Sequence, residues 1–343
     1  MIKKSFITDC EGPLSLNDNA YEICREFIPD GAEFFKVVSN FDDYLVFAHH
    51  ENYDAGDTLK LIAPFLKAYG ITNKKIFDFS RKNISLVNGA SKTMEFAKKN
   101  VTSYIISTSY GQYIEALSNE INFPYENTFY SLLNLDEYKI DNDEKDTLIS
   151  FKDDVINADF LRCKEIFFNE IPKLDSYKLT ENTKTVGGLG KKIAIDKIIS
   201  KENLNIQGMM YIGDSITDVE ALHFLRENNG FTISFNGNNF SLNEAEIAVI
   251  SDDTIVNSIL LDLFERYNKN YCLEFIKTYS YDPQKAFESS RISFSLMDKF
   301  REIFKDRELP IIQTINASNF NFLAEKSKQM REKIRGKDVA DLS

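Results

Sequence analysis

The sequence predicts an α/β protein: an open sheet of parallel strands with helices on both faces. Three observations lead there. Short apolar runs stop abruptly at small or charged residues, as in SFITD at 5–9, TSYIISTS at 102–109 and MMYIGD at 209–214. Between them lie stretches such as GQYIEALSNEI and TDVEALHFLREN, whose apolar residues recur at helical spacing. Strands that alternate with helices pair in parallel, because each helix carries the chain back across the sheet.

Taken in order, the first element is a buried strand at 4–8, broken by Gly12-Pro13. From about residue 17 to 100 the period turns helical. DTLKLIAPFLKAYGI and SKTMEFAKKN have polar starts and Gly or Asn stops, so a mainly helical insertion follows the first strand. The strand at 102–109 leads into a helix and then a third strand at 127–133, NTFYSLL. Residues 134–185 read as an acidic insertion with further helical pattern, and GGLGKKIAIDKIIS as a glycine-rich loop entering a helix. A fourth strand at 209–212 is stopped by Gly213-Asp214, and GFTISF and AEIAVIS add two more. The expected organisation is a core of 1–16 and 101–255, a helical unit at 17–100, and a helical extension at 256–343. The last charged stretch, EKSKQMREKIRGKD, reads as a solvated or frayed helix.

Composition narrows the function. A formal net charge of −12 argues against a nucleic-acid binder, which lives on phosphate contacts, and against docking on anionic lipid. No apolar run reaches the roughly 20 residues of a membrane helix, so no direct membrane insertion is expected. The first residues lack the apolar core of a signal peptide, and Cys10, Cys24, Cys163 and Cys272 lie too far apart for a zinc site. The reading is a soluble cytoplasmic protein with reduced thiols.

Open α/β sheets bind ligands at the carboxyl ends of their strands. There this sequence places Asp9-Cys10-Glu11-Gly12, Ser107-Thr108-Ser109 and Gly213-Asp214-Ser215, with Asp218 one turn on and Lys191-Lys192 before a helix. Several carboxylates, hydroxyls and an ammonium in one crevice suit phosphoryl transfer. Carboxylates offer the hard oxygens that Mg²⁺ prefers, and a lysine and hydroxyls hold phosphate oxygens.

The ordered set hhhhDxEG, hhhS, a loop lysine and hhhhGDSxxD resembles the haloacid dehalogenase-like superfamily, in the DxEG variant of phosphoserine-phosphatase-like members. It spans residues 9–218. The resemblance implies a Rossmann-like core with a cap after the first motif, here 17–100. It implies a Mg²⁺-dependent phosphatase that hydrolyses a small phosphorylated metabolite through an aspartyl-phosphate on Asp9. Glu11, where most phosphatases of the family carry Asp, would be the general acid/base and lend its main-chain carbonyl to the metal. Ser107 and Thr108 would bind phosphate with Lys191, which the pattern Lys-x-x-Ala-Ile favours, the adjacent Lys192 being the alternative. Asp9, Glu11, Asp214 and Asp218 would form the metal set. A phosphotransferase or phosphomutase on the same core is the alternative. A narrower resemblance, to a methanogen protein named as subunit R of an energy-converting hydrogenase, implies a non-catalytic accessory subunit. The C-terminal helices would then serve a protein partner or a homodimer.

Other features carry less. GGLGKK lacks the Walker spacing, which needs Gly at Thr185 and Ser or Thr at Lys192. His49-His50-Glu51 reads as surface rather than metal ligands, His223 as structural, and Cys10 as a core thiol turned away from its acidic neighbours.

Overall fold

The computed structural model describes residues 2–48, 50 and 53–340. Its centre is a seven-stranded sheet of order β3-β2-β1-β4-β5-β6-β7. The strands are β1 (Ser5–Thr8), β2 (Thr102–Tyr110), β3 (Thr128–Ser131), β4 (Met209–Gly213), β5 (Phe231–Phe235), β6 (Ile247–Ile250) and β7 (Ile311–Thr314). The first six run parallel. β1, β4, β5 and β6 are buried along their whole length, which is why they read as continuous apolar runs rather than alternating ones. β7 pairs antiparallel with β6, so the C-terminal extension is helical except for one edge strand.

Register is what positions the site. Thr8 lies level with Ile105 of β2 on one side and Ile212 of β4 on the other. Asp9 beyond β1, the last residues of β2 and Asp214 beyond β4 therefore emerge at one edge of the sheet.

Helices cover both faces. Ala90–Asn100, Gly111–Glu120 and Ile255–Arg266 bury Met94, Ile114 and Leu260 on one side with Phe6 and Ile212. Leu189–Glu202 and Val219–Glu227 bury Ile195 and Leu222 on the other with Ile7 and Tyr211. A separate apolar core lies beyond the strand ends. Helices Asn19–Phe27, Gly31–Phe47 and Thr58–Ala68 contribute Tyr21, Phe34 and Phe65. The acidic stretch contributes Leu148, Phe167 and Leu179 to the same core, so it is packed rather than appended. Among the described residues, no helix is long and apolar enough to cross a membrane.

Candidate active site

The main-chain N–H of Asp9 donates to Ile212 O (2.8 Å), extending the β1–β4 ladder by one residue. This anchors Asp9 beside the end of β4. Its Oδ1 accepts the Cys10 N–H (2.6 Å). The chain then turns at Gly12, whose φ of +95° lies where side chains are strained. A Cβ at Gly12 would also collide with the Asp214 carboxylate. Backbone conformation and close approach both demand glycine, which explains the G of DxEG.

β4 delivers the second half. Ser215 opens a helical turn, Ile216–Asp218, through a reciprocal cap with Asp218. Asp218 is fully engaged. Its Oδ2 accepts the N–H groups of Asp214 (2.9 Å) and Ser215 (3.1 Å). Its Oδ1 accepts Lys191 Nζ (2.7 Å) and the Tyr211 hydroxyl (2.7 Å).

Lys191 lies in the first turn of Leu189–Glu202 and has no solvent exposure. Its Nζ donates to Asp9 Oδ2 at 2.7 Å as well as to Asp218. Burial alone would lower its pKa, but Asp218 and Asp9 outweigh burial and hold it raised, so it stays an ammonium. Lys192 points elsewhere and pairs with Asp196 at 2.6 Å. Asp9, Asp214 and Asp218 each present a carboxylate oxygen, all within 4.8 Å of one another. Burial pushes Asp9 up against the pull of Lys191, and pushes Asp214 up against Arg331 and Arg335.

Asp9 and Asp214 open onto a cavity that Asp18, Phe35, Asp42 and Asp43 of the helical layer also line, while Lys191 and Asp218 lie buried behind them. Thr108 and Ser109 line it. Ser107 does not: it is buried, and its Oγ accepts the Ser109 N–H (3.1 Å). Thr108 Oγ1 donates to Val186 O (3.1 Å). Glu11 borders the cavity with Oε1 accepting the Asn19 N–H (2.8 Å). Burial, reinforced by Asp18 and opposed by Asn19 and Ser109, pushes Glu11 up to about 8. Gly56 marks where the helical layer meets the strand ends; a Cβ there would lie 2.6 Å from Thr108 Cγ2.

The remaining sequence features fall outside the site. Cys10 is buried in the sheet core. His223 is exposed and bonded to Glu244 (2.9 Å). His50 stacks on Phe168 with ring centroids 4.7 Å apart, while His49 and Glu51 lie outside the described residues.

Two site residues escape the sequence reading. The C-terminal helix Phe320–Arg335 brings Arg331 to Asp214 (Nη1 to Oδ2, 3.1 Å) and Arg335 to the cavity wall. The stretch expected to be solvated or frayed is an ordered helix docked on the active site. The available signal was the stripe Leu323, Ser327, Arg331, Arg335, spaced four apart along one helix face.

The fold has counterparts among solved structures. The structure of gene product AF1437 from Archaeoglobus fulgidus matches with a TM-score of 0.81 over 99% of each chain at 26% identity. A substrate-bound phosphoserine phosphatase complex matches 76% of this chain and 98% of its own, with a TM-score of 0.51 and 16% identity. No family model matches the sequence, and no curated protein does. The chain has the haloacid dehalogenase-like fold of that phosphoserine phosphatase. The matches bring no support for the narrower hydrogenase-subunit resemblance.

The site suits a hard divalent cation. Its donors are carboxylate oxygens gathered within 4.8 Å, and the missing side chain at Gly12 lets the Asp214 carboxylate pack directly against the β1 turn.

Proposed function

We propose that the protein is a Mg²⁺-dependent phosphatase that hydrolyses a small phosphorylated metabolite through an aspartyl-phosphate on Asp9. The observation that carries this reading is Lys191, buried and bonded at once to Asp9 and Asp218 (2.7 Å each), with Asp214 alongside.

Asp9 and Asp214 would hold the ion, with the Glu11 main-chain carbonyl. Mg²⁺ would neutralise phosphate charge so that a carboxylate can approach it. Asp218, its oxygens already taken by four donors, acts as a positioning residue that fixes Lys191 and the Asp214 backbone. An Asp9 carboxylate oxygen attacks phosphorus, and the ester P–O bond breaks. The leaving oxygen takes its proton from Glu11, whose raised pKa keeps that proton available near neutrality. Water then attacks the phosphoryl group, Glu11 recovers a proton, and the Asp9–phosphorus bond breaks to release inorganic phosphate. Lys191 and the hydroxyls of Thr108 and Ser109 hold phosphate oxygens. The helical layer excludes water from the reacting atoms.

A panel of phosphomonoesters, assayed with Mg²⁺ for wild type and Asp9→Asn, tests this. The expectation is at least about a thousandfold loss in the variant with unchanged thermal melting, because an amide is no nucleophile at phosphorus. Equal rates in the two proteins would remove the proposal. Nothing observed favours the transferase or accessory-subunit readings.

A further inference from the structure

The C-terminal helix closes the site with two arginines that the strand-end motifs do not contain. Arg331 is 3% exposed and its Nη1 donates to Asp214 at both Oδ2 (3.1 Å) and the main-chain O (3.2 Å). Arg335 is held by its other edge. Its Nε donates to Leu16 O (3.2 Å) and its Nη2 to Asn17 O (2.9 Å), on the segment that joins β1 to the helical layer. Arg335 lines the cavity, and its Nη1 lies 3.7 Å from Asp214 Oδ2 with no hydrogen bond among the described residues. A guanidinium carries five N–H donors. Two main-chain carbonyls therefore fix the plane of Arg335 while Nη1 stays beside Asp214 with its donors uncommitted. The side chain is 5% exposed, so water does little for those donors.

Charge points the same way. Asp9, Asp214 and Asp218 face Lys191, Arg331 and Arg335, three carboxylates against three cations. These six groups balance before any ion binds, while Glu11 and Asp18, which line the same cavity, add carboxylates near Arg335. A divalent cation leaves the six with two positive charges in excess, the charge that a phosphate monoester dianion cancels. With Lys191 alone, the carboxylates would exceed the cations by two, and the metal by itself would neutralise them. The arginines thus shift the site away from metal affinity and towards anion affinity.

We propose that Arg335, supplied by the C-terminal helix and pre-set by Leu16 and Asn17, donates to an anionic oxygen of the bound phosphoryl group, with Arg331 and Lys191 completing a cationic ring around it. The proposal rests on the phosphatase reading for the identity of the ligand. Its prediction is a pair of opposite effects that loss of packing would not produce.

The test is calorimetric titration of the full chain with Mg²⁺ alone, and with inorganic phosphate in saturating Mg²⁺, for wild type, Arg335→Met and Arg335→Lys. Arg335→Met should weaken phosphate at least about tenfold, the worth of a charged hydrogen bond, while Mg²⁺ binds as tightly as before or tighter. Arg335→Lys, which keeps the charge but loses the planar fork, should fall between the two. Phosphate affinity unchanged in a folded methionine variant overturns the proposal, as does a parallel loss of phosphate and Mg²⁺ affinity. If the methionine variant does not melt cooperatively, the lysine variant decides, and wild-type phosphate affinity there overturns direct donation. Binding is read without turnover. Arg335-dependent phosphate binding in a protein that hydrolyses nothing supports this inference and defeats only the phosphatase reading. Asp9-dependent hydrolysis with phosphate binding indifferent to Arg335 does the reverse.

Discussion

The strand ends and the helical layer facing them present carboxylates to one cavity, yet they manage the charge in opposite ways. At the strand ends each aspartate has a cation: Asp9 and Asp218 at 2.7 Å from Lys191, Asp214 at 3.1 Å from Arg331. In the helical layer Asp42 lies 5% exposed, with its Oδ2 accepting the Gly56 N–H (3.2 Å) and the Tyr53 hydroxyl nearby. Burial pushes it up to about 7, only partly opposed by Tyr53 and Gly56. At Asp9 and Asp214 the neighbouring cations oppose the upward push of burial and hold the carboxylates in place by ion pairs. A buried carboxylate without a cation sheds its charge by binding a proton, and so couples the fold to pH.

The largest effect is expected at the strand ends. Lys191→Met leaves Asp9 and Asp218 buried without their shared cation. It should cost about 3–5 kcal/mol of stability and abolish turnover, read by denaturant unfolding and phosphoester assay. A loss below about 1 kcal/mol would show that the paired carboxylates do not depend on the lysine.

The next effect belongs to the helical layer. With a folded pKa of about 7 against an unfolded value of 3.8, Asp42 keeps its proton longer in the folded chain. Its contribution is therefore fully present below 3.8 and is lost as pH rises through about 7. Asp42→Asn removes that loss. Relative to wild type, the variant should gain several degrees in melting temperature between pH 4 and pH 8, on the order of 1–3 kcal/mol. Parallel melting curves across that range would mean that Asp42 is effectively paired.

The smallest effect separates neighbours. Lys192 is 31% exposed beside Asp196, a surface pair of the kind worth under about 1 kcal/mol. Lys192→Met should leave both stability and turnover within error of wild type. A large loss of activity would assign the lysine role to the wrong residue.

How much of this could be read along the chain depends on the range of the interaction involved. The strand-end motifs are local: an apolar run, a polar stop and a turn residue declare themselves within ten positions or so. Gly12 is a good example, since its turn conformation and its closeness to Asp214 both demand the residue that the motif already shows. The motif points to Ser107 with Thr108 for phosphate, whereas the cavity is lined by Thr108 and Ser109. One residue of register in β2 decides which hydroxyl borders the cavity, and that depends on how the strand end bends. The acidic segment at 134–185 looked separate because its partners in the common core, Tyr21, Phe34 and Phe65, lie about a hundred residues earlier.

Apolar runs with polar stops, alternating with helical stretches, suffice for the parallel α/β architecture and for the order of the strand-end motifs; the roles of Asp9, Lys191 and Asp214 rest on the resemblance of those motifs to a family. Those features are written in short windows, where backbone sterics and side-chain burial leave few options. For the two arginines the sequence offers only the stripe of Leu323, Ser327, Arg331 and Arg335 on one helix face, which does not say what that face meets. Arg331 and Arg335 lie on a helix whose charged composition matches that of a solvated one. What distinguishes them is the partner more than a hundred positions away, because ion pairing and desolvation act through space and depend on which surface the helix meets.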